Sequence, residues 1–174
     1  AEIFARENKN NKRVDDHLSQ RESLGEYWVT GEYSYRAEHC ATDGLVLAGD
    51  AFAFLDPVFS SGVFLALKSG EMAADAVESA LQNGRVGAGE FAAYGETLCR
   101  SIEVMRKMVY AFYDEDFSFG KVIKNHMHLQ GDLTDCLIGD LVGREYEELM
   151  SAMAELAPLP APLAHGRVPV GAAG

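Results

Sequence analysis

The chain has 174 residues, of which 27 are acidic and 15 are lysine or arginine, so its formal net charge is −12. A chain of this length can bury a sizeable core and ordinarily forms one domain. The negative charge, with no cluster of basic residues to offset it, argues against sequence-independent binding to nucleic acid or to anionic membrane surfaces.

The cysteines and the apolar runs exclude further classes of protein. Cys40, Cys99 and Cys136 are odd in number and form no C-x-x-C pair, which indicates neither a disulfide framework nor a zinc site. Such cysteine usage is typical of a reducing compartment, and we expect a cytoplasmic location. The sequence contains no apolar run of the roughly 18 residues that cross a bilayer and no signal peptide at Ala1. A first residue other than Met is compatible with a processed start, a trimmed chain or a piece of a longer protein.

Residues 1–25 are mostly polar, and aromatic side chains become frequent in residues 26–36. Residues 8–13 form a charged, amide-rich run that we expect to be exposed, and a weakly patterned helix is predicted for residues 14–23. Residues 26–36 are rich in aromatic and β-branched side chains, which predicts strands around a turn or bulge at Thr30-Gly31. The His39-Cys40 pair that follows has no partner at metal-ligand spacing, so no metal site or nucleophile is predicted there.

A short apolar run at residues 45–47 predicts a strand that is buried on both faces. Gly49 removes the side chain where this strand ends and so permits close approach to the backbone. Asp50 places a carboxylate at the carboxyl end of the strand, where open α/β sheets bind their ligands. Such a carboxylate accepts hydrogen bonds from sugar hydroxyls but repels a phosphate.

Ser60-Ser61-Gly62 stands directly before a long apolar segment. Its hydroxyls and its glycine predict a capped helix start whose free N–H groups and positive dipole end suit an anion or an electron-rich ring oxygen. The helix runs to Asn83-Gly84 and is apolar nearly all round, so we expect it to be buried. Gly70 in its middle costs about 1 kcal/mol relative to alanine and therefore indicates a close neighbour.

Helices are predicted for most of the second half. Apolar residues at spacings of three and four predict a helix over residues 90–113 whose apolar stripe lies in the core. His126 and His128 stand two apart without a carboxylate at zinc-site spacing, so no metal is predicted. A last helix is predicted for residues 143–157, followed by an extended, proline-rich segment and a loose tail.

The segment from Gly49 to Val63 resembles the second flavin-binding motif of the FAD-dependent monooxygenase superfamily, G-D-A-x(5)-P-x(4)-G. In its fuller form it is most similar to the flavin-dependent halogenases and their halogenase-like oxidoreductase relatives. Residues 33–36, 109–114 and 137–140 carry further resemblance. Together these segments cover most of the chain from about residue 32 to about residue 156.

The resemblance assigns roles to six residues of the loop and the helix start. It implies that Asp50 binds the ribityl chain of FAD, that Gly49 lets the backbone approach the cofactor closely, and that Pro57 shapes the loop beneath the isoalloxazine ring. The remaining assignments concern backbone amides that would face the N1–C2=O edge of the ring, namely those of Ser61, Gly62 and Val63.

Halogenases bind a halide beside the same loop, so Ser61 and Gly62 are also halide candidates. A role in lining the active site stays open for Phe112-Tyr113-Asp114, which in halogenase-like proteins ends a helix near that site. No catalytic residue is assigned within this chain.

The implied fold is an α/β, mainly helical fragment with a few strands and three to four long helices. It would be the C-terminal part of a two-domain, hydroxybenzoate-hydroxylase-like FAD-binding fold that lacks the first Rossmann βαβ unit. Residues 1–36 would end the substrate-domain segment and return as strands, and residues 37–84 would carry the FAD-domain segment. Residues 85–157 would form a C-terminal helical region, and residues 158–174 a flexible tail.

The sequence lacks three features of the halogenases. It contains neither a G-x-G-x-x-G turn after a strand, which would hold the FAD pyrophosphate, nor the W-x-W-x-I-P motif. The lysine that halogenases place upstream to handle hypohalous acid is also not found. We therefore expect the chain to be an incomplete part of a flavoenzyme.

The implied enzyme activates dioxygen on reduced FAD and hydroxylates or halogenates a small organic substrate. We expect this substrate to be aromatic. NAD(P)H or a separate flavin reductase would supply the electrons. Two alternatives stay open: a geranylgeranyl-reductase-like flavoprotein that reduces double bonds without oxygen chemistry, and a non-catalytic helical interaction domain whose acidic surface binds a partner.

Overall fold

The computed structural model describes residues 2–22, 24–31 and 33–169, which fall into two compact units divided between residues 32 and 33. The first unit contains the helices α1 (Glu2–Asn10) and α2 (Lys12–Leu18). Asn11 caps α2 by accepting a hydrogen bond from the amide of Val14. Neither helix buries a residue, and even the apolar side chains of Ile3 and Phe4 in α1 are 69% and 51% exposed.

Two sequence predictions for this unit need correction. The helix predicted for residues 14–23 lies instead at residues 12–18, and position 23 is outside the described residues. Residues 26–31 form no strand, and Trp28 and Val29 are 91% and 95% exposed. Aromatic and β-branched side chains favour a strand only where a partner strand pairs with it, and the described residues of this unit supply none.

The second unit contains four strands of two residues each. They are β1 (Tyr35–Arg36), β2 (Ala41–Thr42), β3 (Leu45–Val46) and β4 (Ala53–Phe54). β1 pairs with β4 and β2 pairs with β3, both in antiparallel register. The prediction of a strand buried on both faces at residues 45–47 is therefore wrong. Leu45 is 52% exposed, since β3 has one antiparallel neighbour and no second one among the described residues.

Two helices of 21 residues, α3 (Gly62–Gln82) and α4 (Ala92–Phe112), are followed by three shorter ones. The shorter helices are α5 (Phe119–Asn125), α6 (Gln130–Ile138) and α7 (Glu147–Ala154). The described residues thus contain two long helices where three to four were predicted. Gly139 and Gly143 have φ values of +89° and +74°, which interrupt the helical backbone, so the last helix begins at Glu147 and not near residue 143. None of the helices in the described ranges is both long enough and apolar enough to cross a membrane.

α4 is the central helix of the second unit, and two hydrophobic clusters meet on it. The first cluster joins α4 to α5, α6 and α7 through residues such as Met108, Leu133 and Leu149. The second joins α4 to α3 and to the strands through residues such as Phe52 and Leu98. The apolar stripe predicted for this helix is buried as expected from Tyr94 to Val109, while Phe112 at its end is 47% exposed.

α3 has the predicted bounds but not the predicted burial. Gly84, with φ +64°, follows its C-terminal end as the Asn83-Gly84 signal indicated. Only Ser69 and Ala80 of the helix are buried, whereas Val63 is 75% exposed. Glu71, Asp75 and Glu78 form one exposed, acidic side, so the helix is not apolar nearly all round as predicted, and the described residues cover one of its faces.

A buried ion pair joins β1 to α4. Arg36 Nη1 lies 2.8 Å from Glu103 Oε1, and their side chains are 2% and 12% exposed. Arg36 Nη2 donates to the carbonyl of Leu163 at 2.9 Å, and the amide of Leu163 donates to Glu103 Oε1 at 3.2 Å. Arg106 adds a second ion pair to Glu103 at 2.9 Å. These bonds hold the segment after α7 against α4 and β1. The flexible tail predicted from sequence stays a prediction, because residues 170–174 lie outside the described ranges.

Replacing Glu103 with alanine is expected to lower the free energy of unfolding by about 3–5 kcal/mol, because the buried Arg36 guanidinium then loses its carboxylate. Urea unfolding followed by circular dichroism measures the change. Glu71→Ala is the matched control, since Glu71 pairs with Lys68 on an exposed helix surface, and its stability should stay near that of the parent chain. Equal stabilities of the two variants would contradict the assigned role of the buried pair.

Candidate flavin site

The predicted cofactor residues lie on the loop from β3 to α3, which is folded as two 3-10 turns, Gly49–Ala51 and Pro57–Phe59, on either side of β4. This loop and the start of α3 surround a cavity of about 60 Å³, lined by five of the predicted residues: Gly49, Asp50, Pro57, Ser61 and Gly62. The sixth, Val63, does not line it. A cavity of this size holds a few water molecules and no isoalloxazine ring, so a flavin could lie only along its open rim.

Gly49 is fastened to α3 and cannot carry a side chain without strain. Its amide donates to Ser69 Oγ at 2.8 Å, and the Ser69 hydroxyl donates to the carbonyl of Ala66 at 3.0 Å. The φ angle of Gly49 is +55°, and a Cβ at this position would lie 3.2 Å from the Cβ of Ala66. Glycine is therefore required both for the backbone conformation and for the close approach of loop and helix.

Asp50 is held by its backbone and presents its side chain outward. The Tyr35 hydroxyl donates to the carbonyl of Asp50. The residue is exposed, and its carboxylate accepts no hydrogen bond from any residue in the described part of the chain. A carboxylate placed in this way can bind a hydroxyl group of a ligand without first breaking an internal bond.

Asp56 ties the second turn of the loop to two distant segments. Its Oδ1 accepts from the amide of Val58 at 3.1 Å and from the Tyr113 hydroxyl at 3.0 Å. Its amide donates to Ser34 Oγ at 2.9 Å. In the sequence, Asp56 falls within the motif segment from Gly49 to Val63, and a lining role stays open for Tyr113. An Asp before Pro, whose side chain bonds the amide two residues on, is a turn signal that could have identified the first contact but not the second.

The start of α3 has an unusual backbone and unused donors. Ser60 has φ +56°, the only positive φ of a non-glycine residue in the described ranges, a conformation that costs on the order of 1–3 kcal/mol and clusters at functional sites. Ser61 is the N-cap residue but makes no side-chain cap bond, so the predicted capping hydroxyls are not used. The amides of Ser61, Gly62 and Val63 have no acceptor among the described residues.

Three nearly parallel aromatic rings border the loop. Tyr33 stacks on Phe54 with ring centroids 4.9 Å apart at 15°, and Tyr35 lies 6.4 Å from Phe54 at 16°. Tyr33 and Tyr35 are 57% and 49% exposed, and Phe54 also lines the cavity. Sequence reasoning missed this row because it depends on the register that places Phe54 opposite Tyr35.

The cysteine and histidine side chains of this unit have structural contacts. Burial raises the pKa of the Cys40 thiol to about 11, and the pKa of the Cys136 thiol to about 12. His126 Nε2 lies 3.2 Å from Glu155, and His128 Nε2 lies 2.7 Å from Glu148. Within the described ranges no three His, Cys, Asp or Glu side chains are grouped so that they could hold a metal ion.

No family model matches the chain. It is 26% identical over 155 residues to the 1H-pyrrole-2-carbonyl-(peptidyl-carrier protein) chlorinase of Pseudomonas fluorescens, which covers 89% of this chain and 34% of the chlorinase. It is 34% identical over 104 residues to the corresponding brominase of Pseudoalteromonas luteoviolacea, covering 60% of this chain and 25% of the brominase. The solved structure of the flavin-dependent brominase Bmp2 matches with a TM-score of 0.65 at 26% identity, over 82% of this chain and 36% of that chain.

The chain is halogenase-like. The resemblance that the motif indicated is thereby confirmed, and the mainly helical fold with few strands matches part of a flavin-dependent halogenase structure. The chain spans about a third of the length of the chlorinase and a quarter of that of the brominase, so the match concerns one part of such a protein.

Replacing Ser69 with alanine is expected to lower the free energy of unfolding by about 1–3 kcal/mol, since the partly buried amide of Gly49 loses its acceptor. Urea unfolding measures the loss. Ser79→Ala removes an exposed hydroxyl from the same helix and should leave the unfolding midpoint unchanged. A Ser69 variant as stable as the Ser79 variant would show that the loop is not held by this bond.

None of the three buried thiols should react with a disulfide reagent at mildly alkaline pH until the chain unfolds, because the thiolate is the reactive form. Burial raises the pKa of the Cys40 thiol, and this shift also makes the free energy of unfolding depend on pH. The pKa of Cys40 in the folded chain lies above its ordinary value of 9.0, so stability should fall as the pH rises from about 9 towards about 11. Thiol counting with and without urea tests the first expectation, and one fast-reacting thiol in the folded chain would contradict it.

Proposed function

We propose that this chain forms the ribityl and ring side of an FAD site in an enzyme that halogenates a small organic substrate. The observation that carries the proposal is the arrangement of the loop and the start of α3. Five predicted residues line one cavity there, while the Asp50 carboxylate and the first amides of α3 have no partner among the described residues.

The chemistry of these groups suits a flavin. The Asp50 carboxylate would accept hydrogen bonds from ribityl hydroxyls, and it would repel a phosphate placed at the same point. The amides of Ser61, Gly62 and Val63, at the positive end of a 21-residue helix, would donate to the electron-rich N1–C2=O edge of the ring. Pro57 would set the shape of the loop under the ring, which would lie along the rim of the cavity.

Reduced FAD, when bound, supplies the electrons that activate dioxygen, and NAD(P)H or a flavin reductase would provide those electrons. The residues of this chain would bind and orient the cofactor and hold the halide. Ser61 and Gly62 are the halide candidates, because the Ser61 hydroxyl makes no cap bond and Gly62 leaves the backbone uncovered. Phe112 and Tyr113, 47% and 60% exposed at the end of α4, would extend the wall of the site.

Halogenation is favoured over hydroxylation and over double-bond reduction because the relatives found are named halogenases. Two of them are named for a pyrrole-2-carbonyl group on a peptidyl-carrier protein, which favours a small aromatic substrate for this protein as well. A non-catalytic interaction domain would have no need of the strained Ser60 beside a free carboxylate and free helix amides. The cytoplasmic location stays a prediction from the cysteine usage.

Asp50→Ala in the natural gene product is expected to reduce the flavin retained after purification by at least about tenfold. Losing one charge-assisted hydrogen bond costs about 1.5–3 kcal/mol, and about 1.4 kcal/mol corresponds to a tenfold change in affinity. Flavin absorbance relative to protein measures the loss, with Asp75→Asn, an exposed carboxylate on the outer side of α3, as the control. Unchanged flavin content in the Asp50 variant would contradict the proposed role of this residue.

We expect the 174-residue chain alone to retain little or no flavin.

A further inference from the structure

A second cavity lies between α4, α7 and the segment that follows α7, and we call it the α4–α7 cavity. Its volume is about 660 Å³, against about 60 Å³ for the cavity beside the flavin loop. Small-molecule sites in proteins have volumes of about 300–1,000 Å³, so the α4–α7 cavity is large enough for a ligand of ordinary size.

The α4–α7 cavity lies on the other side of α4 from the flavin loop. Leu98 and Ile102 line the smaller cavity, whereas Glu103 and Lys107 line the larger one. An α-helix turns by about 100° per residue, which places Lys107 about 140° from Ile102 and about 180° from Leu98 around the helix axis. A ligand in the α4–α7 cavity would therefore be separated from the flavin loop by the helix itself, and the inference does not rest on flavin binding.

Most of the wall of the α4–α7 cavity is aliphatic. α4 contributes Val104, and α7 contributes Met150 and Ala154. The segment after α7 adds two leucines and two prolines, namely Leu159, Pro160, Pro162 and Leu163. Tyr146 supplies the only aromatic ring among the described lining residues, and its hydroxyl already donates to the carbonyl of Asp140. Such a wall suits a hydrocarbon chain, which gains free energy by leaving water.

The wall formed by the segment after α7 is fastened to the rest of the unit. The amide of Leu163 donates to Glu103 Oε1 at 3.2 Å, and its carbonyl accepts from Arg36 at 2.9 Å. Four residues later, Arg167 pairs with Glu96 of α4 at 2.6 Å. The cavity is thus enclosed by elements that ion pairs and hydrogen bonds hold in place, and not by a loose surface fold.

Lys107 is a cation of this wall that the rest of the described chain leaves unpaired. The side chain is partly buried and makes no hydrogen bond or ion pair with any described residue. Glu103, one turn earlier on the same helix, is already bonded to Arg36 and Arg106. Because a partly buried ammonium has lost some of its hydration, an anion provided by a ligand would compensate it.

The other charges of the wall restrict the ligand to one negative charge. Arg144 is already held by two aspartate side chains at 2.7 Å and 2.6 Å, and Arg100 lies 3.9 Å from Glu145. The exposed carboxylates of Glu145 and Glu147 also line the cavity and would repel a second negative charge. A carboxylate, which carries one charge, therefore suits Lys107 better than a phosphate dianion does.

We propose that the α4–α7 cavity is a binding site for a small aliphatic carboxylate. Its carboxylate lies on the Lys107 ammonium, and its hydrocarbon chain lies against α7 and the segment that follows. The ligand contacts α4 and this segment together, so it binds the folded chain only and raises the midpoint of thermal unfolding.

The probe is decanoate, titrated into the natural gene product by isothermal titration calorimetry below the concentration at which it forms micelles. Decylamine and decyl phosphate are the comparison probes, because they combine the same chain with a cationic and, at about pH 8, a dianionic head. We expect saturable binding of one decanoate per chain, at least about tenfold tighter than either comparison probe. Absence of saturable decanoate binding, or equally tight binding of either comparison probe, would overturn the proposal.

Lys107→Met removes the charge and keeps a side chain of similar length, and it should weaken decanoate binding at least about tenfold because the charge-assisted contact is lost. Lys124→Met is the matched control, since Lys124 is exposed on α5 and does not line the cavity. It should bind decanoate as the parent protein does. Equal affinities of the two variants, with circular dichroism spectra like that of the parent, would contradict the assigned role of Lys107.

A second pair of variants tests the position of the hydrocarbon chain. Ala154→Phe places a ring in the cavity from an exposed helix end and should weaken decanoate binding at least about tenfold, whereas Ala93→Phe, exposed at the start of α4 and outside the lining, should not. Decanoate binding that is the same in both variants would overturn the assigned site. Flavin content is measured in the same preparations, and we expect it to be unchanged when decanoate binding is lost, which separates this site from the proposed flavin site.

Discussion

The buried ion pair between Arg36 and Glu103 fixes the position of the loop relative to the core. Glu103 stands in the middle of α4, which both hydrophobic clusters share, and Arg36 belongs to β1. The preceding residue of β1, Tyr35, pairs with Phe54 of β4 and donates to the carbonyl of Asp50. The backbone position of Asp50 is therefore linked to a charge pair that lies in the interior, where an unpaired guanidinium would be strongly unfavourable.

The loop itself is held from three directions by parts of the chain that are far apart in sequence. Ser69 holds Gly49 from α3, Tyr35 holds Asp50 from β1, and Tyr113 holds Asp56 from the end of α4. Two of these contacts engage the loop backbone and the third engages the Asp56 side chain, and all three leave the Asp50 carboxylate and the first amides of α3 free. Such an arrangement keeps the donors and acceptors in place before a ligand arrives, which lowers the entropy lost on binding.

α3 serves the protein through three different surfaces. Its first turn presents unpaired amides to the candidate flavin site, and one face packs against the second cluster. A third side is polar, with Glu71, Asp75 and Glu78 exposed. The helix combines these surfaces because apolar side chains follow its packed face while acidic side chains occupy another.

The sequence by itself determined the features that depend on neighbours along the chain. The bounds of α3 and α4 follow from helical periodicity and from the Asn83-Gly84 stop signal, and the loop from Gly49 to Gly62 follows from a motif of fixed spacing. Tertiary structure alone decided burial and long-range contact. Leu45 and Val63 are exposed although their local patterns predict burial, because burial depends on which elements cover a side chain. The bond from Tyr113 to Asp56 joins residues 57 positions apart, and no local pattern records a contact that is made only when α4 packs beside the loop.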